Sequence, residues 1–200
     1  MAESLGPPIS RKDYEGSNWP VRDERVCCNL VRVRKVGNFY ILAEWRRRDG
    51  KKRRMLLGPY WHFLLVTLVV IAAVSVMIYA FVVPAEDEIE RVIGLTVTML
   101  AVSGLLCTAL TDPGIFPRYS KPLVENWTYS EYAQSYRPPG VIFCQQSQVL
   151  IEDYNHFCPW SGTVIGKGNE AYFQVFIVAI VVAFLYDLLV IALSLENIGF

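Results

Sequence analysis

Histidine and cysteine are scarce in this sequence, which argues against a disulfide-rich secreted fold. Among 200 residues there are two histidines and five cysteines. The cysteines are odd in number and scattered along the chain, at positions 27, 28, 107, 144 and 158. We therefore expect reduced, cytosol-facing thiols. The first twenty residues are polar and contain proline, so we expect no cleavable secretory signal.

The chain also lacks net charge, but its cations are unevenly distributed. It has 19 Lys and Arg against 19 Asp and Glu, and fourteen of the cations lie in residues 1–59. Such asymmetry points to a membrane surface or to nucleic acid near the N-terminal end. The densest run, WRRRDGKKRR at 45–54, directly precedes a long apolar segment. That position favours the membrane, and we expect no nucleic-acid partner.

Three long segments lack charge almost entirely. Residues 60–83 and 92–110 contain no Asp, Glu, Lys or Arg, and residues 171–195 contain one such residue, Asp187. At about 1.5 Å per residue, the first segment extends roughly 36 Å, enough to cross a hydrocarbon core of about 30 Å. Hydrophobic residues make up 53 % of the chain, above the typical range of about 45–50 %. We predict a membrane α-helical fold with three transmembrane helices.

Asp187 lies deep in the third segment, where an aspartate costs about 2.5–3.5 kcal/mol on insertion scales. Intramembrane acids usually face a protein interior or a wet cavity. Two interpretations remain open for this residue: a functional role, or a packing partner on another helix.

The charges that flank the apolar segments orient them. By the positive-inside rule, the basic run places residues 1–59 and the loop 111–170 in the cytosol, and the short acidic connection 84–91 outside. A short tail, 196–200, follows the third segment. We expect an integral, multi-pass protein of an endomembrane (ER or Golgi) or of the plasma membrane.

The two cytosolic regions are expected to contain little helix. Residues 25–36 and 38–45 are rich in β-branched and aromatic residues, and Asp49-Gly50 is a favourable type I′ hairpin turn. We predict a small β-meander in the basic N-terminal region, lying against the membrane surface. For residues 111–170 we predict an irregular loop domain.

Three motifs occupy this loop domain. Residues 111–114 read Thr-Asp-Pro-Gly directly after the second apolar segment, residues 137–139 read Arg-Pro-Pro, and residues 154–169 read YNHFCPWSGTVIGKGN. In these motifs, and in the apolar segments around them, the chain resembles the DHHC family of protein S-palmitoyltransferases over residues 60–195. That family carries the same first two motifs, and then Asp-His-His-Cys-Pro-Trp with a downstream Gly and Asn.

The resemblance implies roles for three residues of the third motif. Cys158 occupies the position of the nucleophilic cysteine, which takes the acyl chain from a fatty acyl-CoA and passes it to a substrate cysteine. His156 occupies the position of the general base toward that thiol. Asn155 replaces the aspartate that orients this histidine, and an amide can accept a hydrogen bond from imidazole but carries no charge. Phe157 replaces the second histidine of the motif.

The family also builds two zinc sites, each from three cysteines and one histidine, and here the sequence departs from the pattern. One of the eight ligands is kept, at the first position of the second set. The first set is Ser130, Ala133, Phe143 and Leu150, and the second is Cys144, Ser147, Phe157 and Val164. Structural zinc needs four N or S ligands. We therefore expect no structural zinc and no other bound metal or cofactor.

Four of the replacements are sizeable apolar residues, which raises the question of what they do in place of the metal. One hypothesis is that Phe143 with Leu150, and Phe157 with Val164, form two apolar plugs that substitute for the ions. The alternative is that these replacements arose by random sequence drift in a non-functional or poorly predicted coding region. The first hypothesis requires both pairs to be in contact and shielded from solvent.

The resemblance implies a protein S-acyltransferase (palmitoyltransferase) with palmitoyl-CoA as the acyl donor. The expected partners are the lipid bilayer, fatty acyl-CoA, and cytosol-facing substrate proteins with membrane-proximal cysteines. The alternative is a catalytically impaired relative that acts as a membrane binding or scaffold protein, which the lost zinc ligands favour. The family has at least four spans, whereas this sequence has three apolar segments, so we expect a truncated member.

Overall fold

The protein is described here from a computed structural model, which defines residues 19–26, 31–46, 52–83 and 88–198. Three α-helices dominate these residues: α1 Trp61–Phe81, α2 Glu88–Leu110 and α3 Glu170–Ile198. Each is long and apolar enough to cross a membrane, with mean hydropathies of 2.7, 2.0 and 2.9 over the candidate spans. The predicted membrane α-helical fold with three transmembrane helices is confirmed.

The ends of α2 follow from its local sequence. The described part of the helix starts at Glu88, before the apolar segment itself, and Glu88 and Glu90 in this first turn are favourable at the positive end of the helix dipole. After the helix, Asp112 Oδ1 accepts hydrogen bonds from the backbone N–H groups of Gly114 and Ile115, both at 3.0 Å. Pro113 has no N–H with which to continue the helix. The Thr-Asp-Pro-Gly motif therefore acts as a stop signal.

The three helices pack with α2 in contact with both of the others. The contact between α2 and α3 is close at Gly104, where a Cβ would lie 3.0 Å from the Cα of Phe176. Small residues at helix interfaces allow such backbone approach in membranes. Leu64 of α1 joins Leu105 and Phe176 in a buried apolar cluster. Much of the remaining helix surface is apolar and exposed, as lipid-facing surface should be.

The described residues before α1 form a four-stranded antiparallel meander in the order β1–β2–β3–β4. The strands are β1 Val21–Val26, β2 Val31–Val36, β3 Phe39–Arg46 and β4 Lys52–Leu57. The predicted meander is confirmed. A tight turn joins β2 to β3, and its Gly37 has a φ of +56°, which favours glycine. The predicted Asp49-Gly50 turn lies outside the described residues.

The segment between α2 and α3 contains three two-stranded hairpins in an otherwise irregular chain. They pair β5 Thr128–Ser130 with β6 Ser135–Arg137, β7 Ile142–Cys144 with β8 Val149–Ile151, and β9 His156–Cys158 with β10 Thr163–Ile165. The loop domain is thus more regular than its sequence predicts, because three-residue strands carry no periodic pattern. A buried cluster joins it to the sheet, with Phe39 and Leu56 packed among Val149, Ile151 and Val164.

We predict that Gly104→Val destabilises the bundle, because the new side chain would push α3 away from α2 at a point of close backbone approach. The expected cost is about 1–3 kcal/mol, as for other overpacked sites. It should appear as a lower melting temperature of the purified protein in detergent. Ser103→Val, on an exposed face of the same helix, is the matched control. Equal losses in the two variants would contradict this packing.

Candidate active site

Strand β9 of hairpin β9–β10 carries two of the three predicted site residues, one at each end. His156 and Cys158 are the first and last residues of β9, so their side chains project from the same face of the strand, and Phe157 projects from the other. At about 3.3 Å per residue, the Cα atoms of His156 and Cys158 are about 6.6 Å apart. Cys158 is 2 % exposed and His156 is half-buried. Asn155 precedes the strand and is exposed.

The turn that follows Cys158 docks on the start of α1. The backbone N–H of Tyr60 donates to the Gly162 carbonyl at 3.3 Å, and the Thr67 hydroxyl donates to the Trp160 carbonyl at 2.9 Å. Gly162 has a φ of +66°, and a Cβ there would lie 2.5 Å from the Tyr60 carbonyl oxygen, so only glycine fits. These contacts hold Cys158 beside the first two turns of a helix that can span the membrane.

A buried asparagine fixes the other side of the hairpin. The Asn169 amide donates to the carbonyls of Thr108 at 3.1 Å and Val164 at 2.9 Å, and its oxygen accepts from the Gly166 N–H at 3.0 Å. These bonds join β10, the end of α2 and the start of α3. Asn169 belongs to the motif, but nothing in the local sequence indicates this role, because Thr108 is 61 residues away.

The imidazole of His156 is oriented by a neighbour in sequence and by α3. Its Nδ1 lies 3.2 Å from Oδ1 of Asn155. Because an amide oxygen only accepts, Nδ1 carries the proton in this contact and Nε2 is left as the basic nitrogen. The Phe173 ring packs edge-on against the imidazole, with 5.2 Å between ring centroids. Among the described residues no hydrogen bond joins the imidazole to Cys158, and such bonds often tighten only with substrate bound.

The positions that correspond to the first zinc site of the resembled family form an apolar cluster. Phe143 and Leu150 face each other directly in the β7–β8 ladder, and Ala133 belongs to the same cluster. Leu150 is 0 % exposed, and Phe143 is half-buried. At the remaining position, Ser130 Oγ accepts a hydrogen bond from the Ala133 N–H at 3.4 Å. Side chains of this set thus pack together where the family has ligands.

The positions of the second zinc site also lie together. Phe157 and Val164 face each other across the β9–β10 ladder. Val164 is fully buried in a cluster with Cys144 and with Phe39 of the sheet, and Phe157 packs at the edge of that cluster. The Phe157 ring also meets Tyr60, just before α1, at 5.1 Å between centroids. The second pair therefore connects the hairpin to both the sheet and α1.

Cys144 is the one residue of a zinc-ligand type left in these two sets. It is 1 % exposed, and its Sγ donates to Oε1 of Gln146 at 3.4 Å. Burial raises the pKa of the nearby Tyr154 phenol, and the Cys144 thiol raises it further. Within the part of the chain that the structure describes, no three His, Cys, Asp or Glu residues are grouped to hold a metal ion.

A cavity of about 170 Å³ lies between α1 and α3. Its lining is apolar except for Ser75, Asp187 and a threonine of α2. Ser75 is eight residues beyond Thr67, or about 12 Å along α1, so the cavity is deeper in the bundle than the turn that follows Cys158. Asp187 accepts a hydrogen bond from the Tyr79 hydroxyl. The intramembrane acid therefore has a partner on another helix.

Comparison with known proteins finds similarity to one family. Residues 124–198 match the family model of the DHHC palmitoyltransferase. The chain is 26 % identical over 206 residues to Palmitoyltransferase ZDHHC18-A of Danio rerio, which covers 82 % of this chain and 44 % of that protein. It is 24 % identical over 200 residues to Palmitoyltransferase ZDHHC18 of Mus musculus, covering 78 % and 52 %. Putative ZDHHC-type palmitoyltransferase 1 of Dictyostelium discoideum is 27 % identical over 153 residues, covering 62 % and 34 %.

Residues 124–198 are thus similar to the DHHC palmitoyltransferase family, as the motifs of the chain predict. The chain spans about half the length of the curated relatives that it matches, 44 % and 52 % for the first two. The matched region contains Asn155, His156 and Cys158. Their individual roles stay predictions.

We predict that Leu150→Ala destabilises the loop domain by about 2–5 kcal/mol, the range for large-to-small changes at buried sites. Leu150 is fully buried opposite Phe143, so the truncation leaves a cavity. Ile142→Ala, in the partner strand of the same hairpin, removes the same type of side chain at a position that is 42 % exposed, and should cost clearly less. Melting temperature and limited proteolysis of the loop domain measure both effects. A larger loss for Ile142→Ala would refute the apolar plug.

Proposed function

We propose that the protein is a zinc-free protein S-acyltransferase, which moves a fatty acyl group from acyl-CoA through a thioester on Cys158 to cysteines of substrate proteins. The observation that carries this proposal is the docking of the Cys158 turn on α1, with His156 on the same strand face and an apolar cavity deeper between the helices. Similarity to the DHHC palmitoyltransferase family supports the class of reaction, and the residue roles are our assignment.

In the first half-reaction, Cys158 Sγ gives its proton to Nε2 of His156 and attacks the thioester carbonyl carbon of acyl-CoA. A bond forms between Sγ and the acyl carbon, the bond from that carbon to the CoA sulfur breaks, and His156 returns its proton to the departing CoA thiolate. In the second half-reaction, a substrate thiol gives its proton to His156 and attacks the Cys158 thioester. The Cys158 thiolate leaves and recovers the proton.

We propose palmitoyl-CoA as the donor, and the apolar cavity between α1 and α3 as the place of part of its acyl chain. The substrates are proteins whose cysteines lie near the same membrane face as Cys158. We place residues 1–59 and 111–170 on the cytosolic side of an ER, Golgi or plasma membrane, because the basic run lies there. Nucleic acid has no part in this function.

A membrane binding or scaffold protein is the second candidate function, and two observations favour it. Cys158 is only 2 % exposed, which limits the access of any acyl donor. Asn155 carries no charge with which to stabilise an imidazolium ion on His156. A protein of this kind would bind lipid or acyl-CoA at the membrane without forming a thioester.

We predict that zinc is dispensable. Incubation of the purified protein with a strong zinc chelator should leave its melting temperature unchanged, and elemental analysis should find no stoichiometric zinc. Structural zinc contributes about 10–16 kcal/mol in finger peptides, so its removal from a zinc-dependent fold would be obvious. A chelator-induced loss of stability together with released zinc would overturn the proposal that apolar packing replaces the metal.

We predict that the full chain, given labelled palmitoyl-CoA, acquires a hydroxylamine-sensitive label on Cys158. Cys158→Ala should abolish the label, because Cys158 is the one described cysteine with an imidazole on its own strand. His156→Ala should lower the labelling rate about 10²-fold or more, the usual contribution of a general base.

Cys107→Ala is the control for this experiment, since Cys107 is exposed on α2 and is the thiol most open to non-enzymatic acylation among the described cysteines. It should label like the wild type. Binding of palmitoyl-CoA with no covalent label in the wild type would instead support the scaffold function.

A further inference from the structure

We infer that Glu170 is a positioning residue for His156. Its carboxylate supplies, through the amide of Asn155, the negative charge that an aspartate in the family motif supplies directly. The inference rests on the proposed function, because it takes His156 as the base. Glu170 lies just after the motif and has no role implied by the family resemblance.

Three polar side chains form a chain of contacts from α3 to the imidazole. Glu170 Oε1 accepts a hydrogen bond from Asn155 Nδ2 at 3.5 Å, and Asn155 Oδ1 lies 3.2 Å from His156 Nδ1. The first distance is long for a hydrogen bond, so Glu170 acts more by its charge than as a rigid tether. The same contact orients the amide, because only its nitrogen can donate to the carboxylate. Its oxygen is thereby directed to the imidazole.

The start of α3 holds this carboxylate in place. Glu170 is the first residue of the helix, and its backbone N–H donates to the Gly166 carbonyl at 3.0 Å. Asn169, immediately before it, is fully buried and fixed by hydrogen bonds to three residues. Phe173 lies three residues further on, on the same helix face, and packs against the imidazole of His156. One helical turn therefore contributes both a charge and an apolar wall to the site.

Lys167, three residues before Glu170, forms ion pairs with other carboxylates. Lys167 Nζ lies 3.2 Å from a carboxylate oxygen of Glu152 and 3.7 Å from one of Asp153. These two carboxylates are therefore offset by an ion pair, whereas the recorded partner of Glu170 is the neutral amide of Asn155.

The other contacts that His156 makes with described residues bring no formal charge at neutral pH. Across the β9–β10 ladder it faces Ile165, and on the α3 side it meets Phe173. Tyr154 and Cys158 are the titratable groups closest to it in sequence, two residues away on either side. Glu170 is thus the anion that the chain of contacts connects to the imidazole.

An anion one amide away favours imidazolium over imidazole, because the amide is polarised by both of its partners. Solvent screens the interaction, since Glu170 is only half-buried.

NMR titration of the histidine rings in the full chain tests this directly, because the chain has only two histidines. In Glu170→Gln, the titration midpoint of His156 should fall, since loss of an anion disfavours the protonated ring. The midpoint of His62, on α1, should not move. Glu152→Gln removes a carboxylate of the same kind from the Lys167 ion pair and is the matched control. An unmoved His156 in Glu170→Gln, or an equal shift in Glu152→Gln, would refute the inference.

Asn155→Asp tests the route through the amide. The new carboxylate should raise the His156 midpoint above that of the wild type, and in this background Glu170→Gln should have less than half of its original effect. An undiminished effect would mean that Glu170 does not act through Asn155. Glu170→Asp keeps the favourable charge at the helix N-terminus but is one methylene shorter, so it should also lower the midpoint while preserving the fold.

The pH dependence of Cys158 labelling by palmitoyl-CoA separates this inference from the proposed function. If the titration midpoint of His156 falls in Glu170→Gln but Cys158 of the wild type is never labelled, the inference about Glu170 stands and the acyltransferase proposal fails. If the wild type labels but neither the His156 titration nor the pH profile of labelling changes in Glu170→Gln, the inference fails and the acyltransferase proposal stands.

Discussion

The contact between Phe157 and Val164 is the one on which the site depends. These residues face each other in hairpin β9–β10, so their packing holds together the strand that carries His156 and Cys158. Val164 also belongs to the core shared with the sheet, and Phe157 meets Tyr60 beside α1. A metal ion gives directional bonds to four ligands, whereas apolar packing gives none. Here direction comes from the cross-strand hydrogen bonds, and burial supplies the stabilisation.

The same separation of roles between apolar packing and hydrogen bonds recurs throughout the loop domain. Apolar pairs fill the space, and hydrogen bonds set the geometry at the places where the chain meets the helices. Asp112 ends α2, Asn169 joins it to β10 and α3, and Gly162 lets the backbone approach α1. Each of these residues belongs to a motif found in the sequence. Apart from Cys144, the part of the family pattern that is kept in this chain is therefore backbone scaffolding together with the Cys158 thiol and the His156 imidazole.

Much of this architecture could be predicted from the sequence, and the rest depends on tertiary contacts. The spans were predictable because uncharged runs of about twenty residues have few other uses, and the motifs located Cys158 and His156. The hairpins could not be predicted, because strands of three residues are too short to show a hydrophobic periodicity. The role of Glu170 was also hidden, since it arises only when α3 brings its first turn to Asn155. The partner of Asp187 on α1 could be proposed only as one of two alternatives.

Gly58 and Gly162 lie where β4 leads into α1 and where the turn after Cys158 ends. A Cβ at Gly58 would lie 2.1 Å from the carbonyl oxygen of Gly162, so two main chains touch there without any side chain between them. At such a junction no side chains lie between the two backbones that could rearrange if one of them moved. The sheet, the first helix and the turn after Cys158 are therefore joined backbone to backbone at one point, and the position of the Cys158 sulfur depends on how the sheet and α1 are placed.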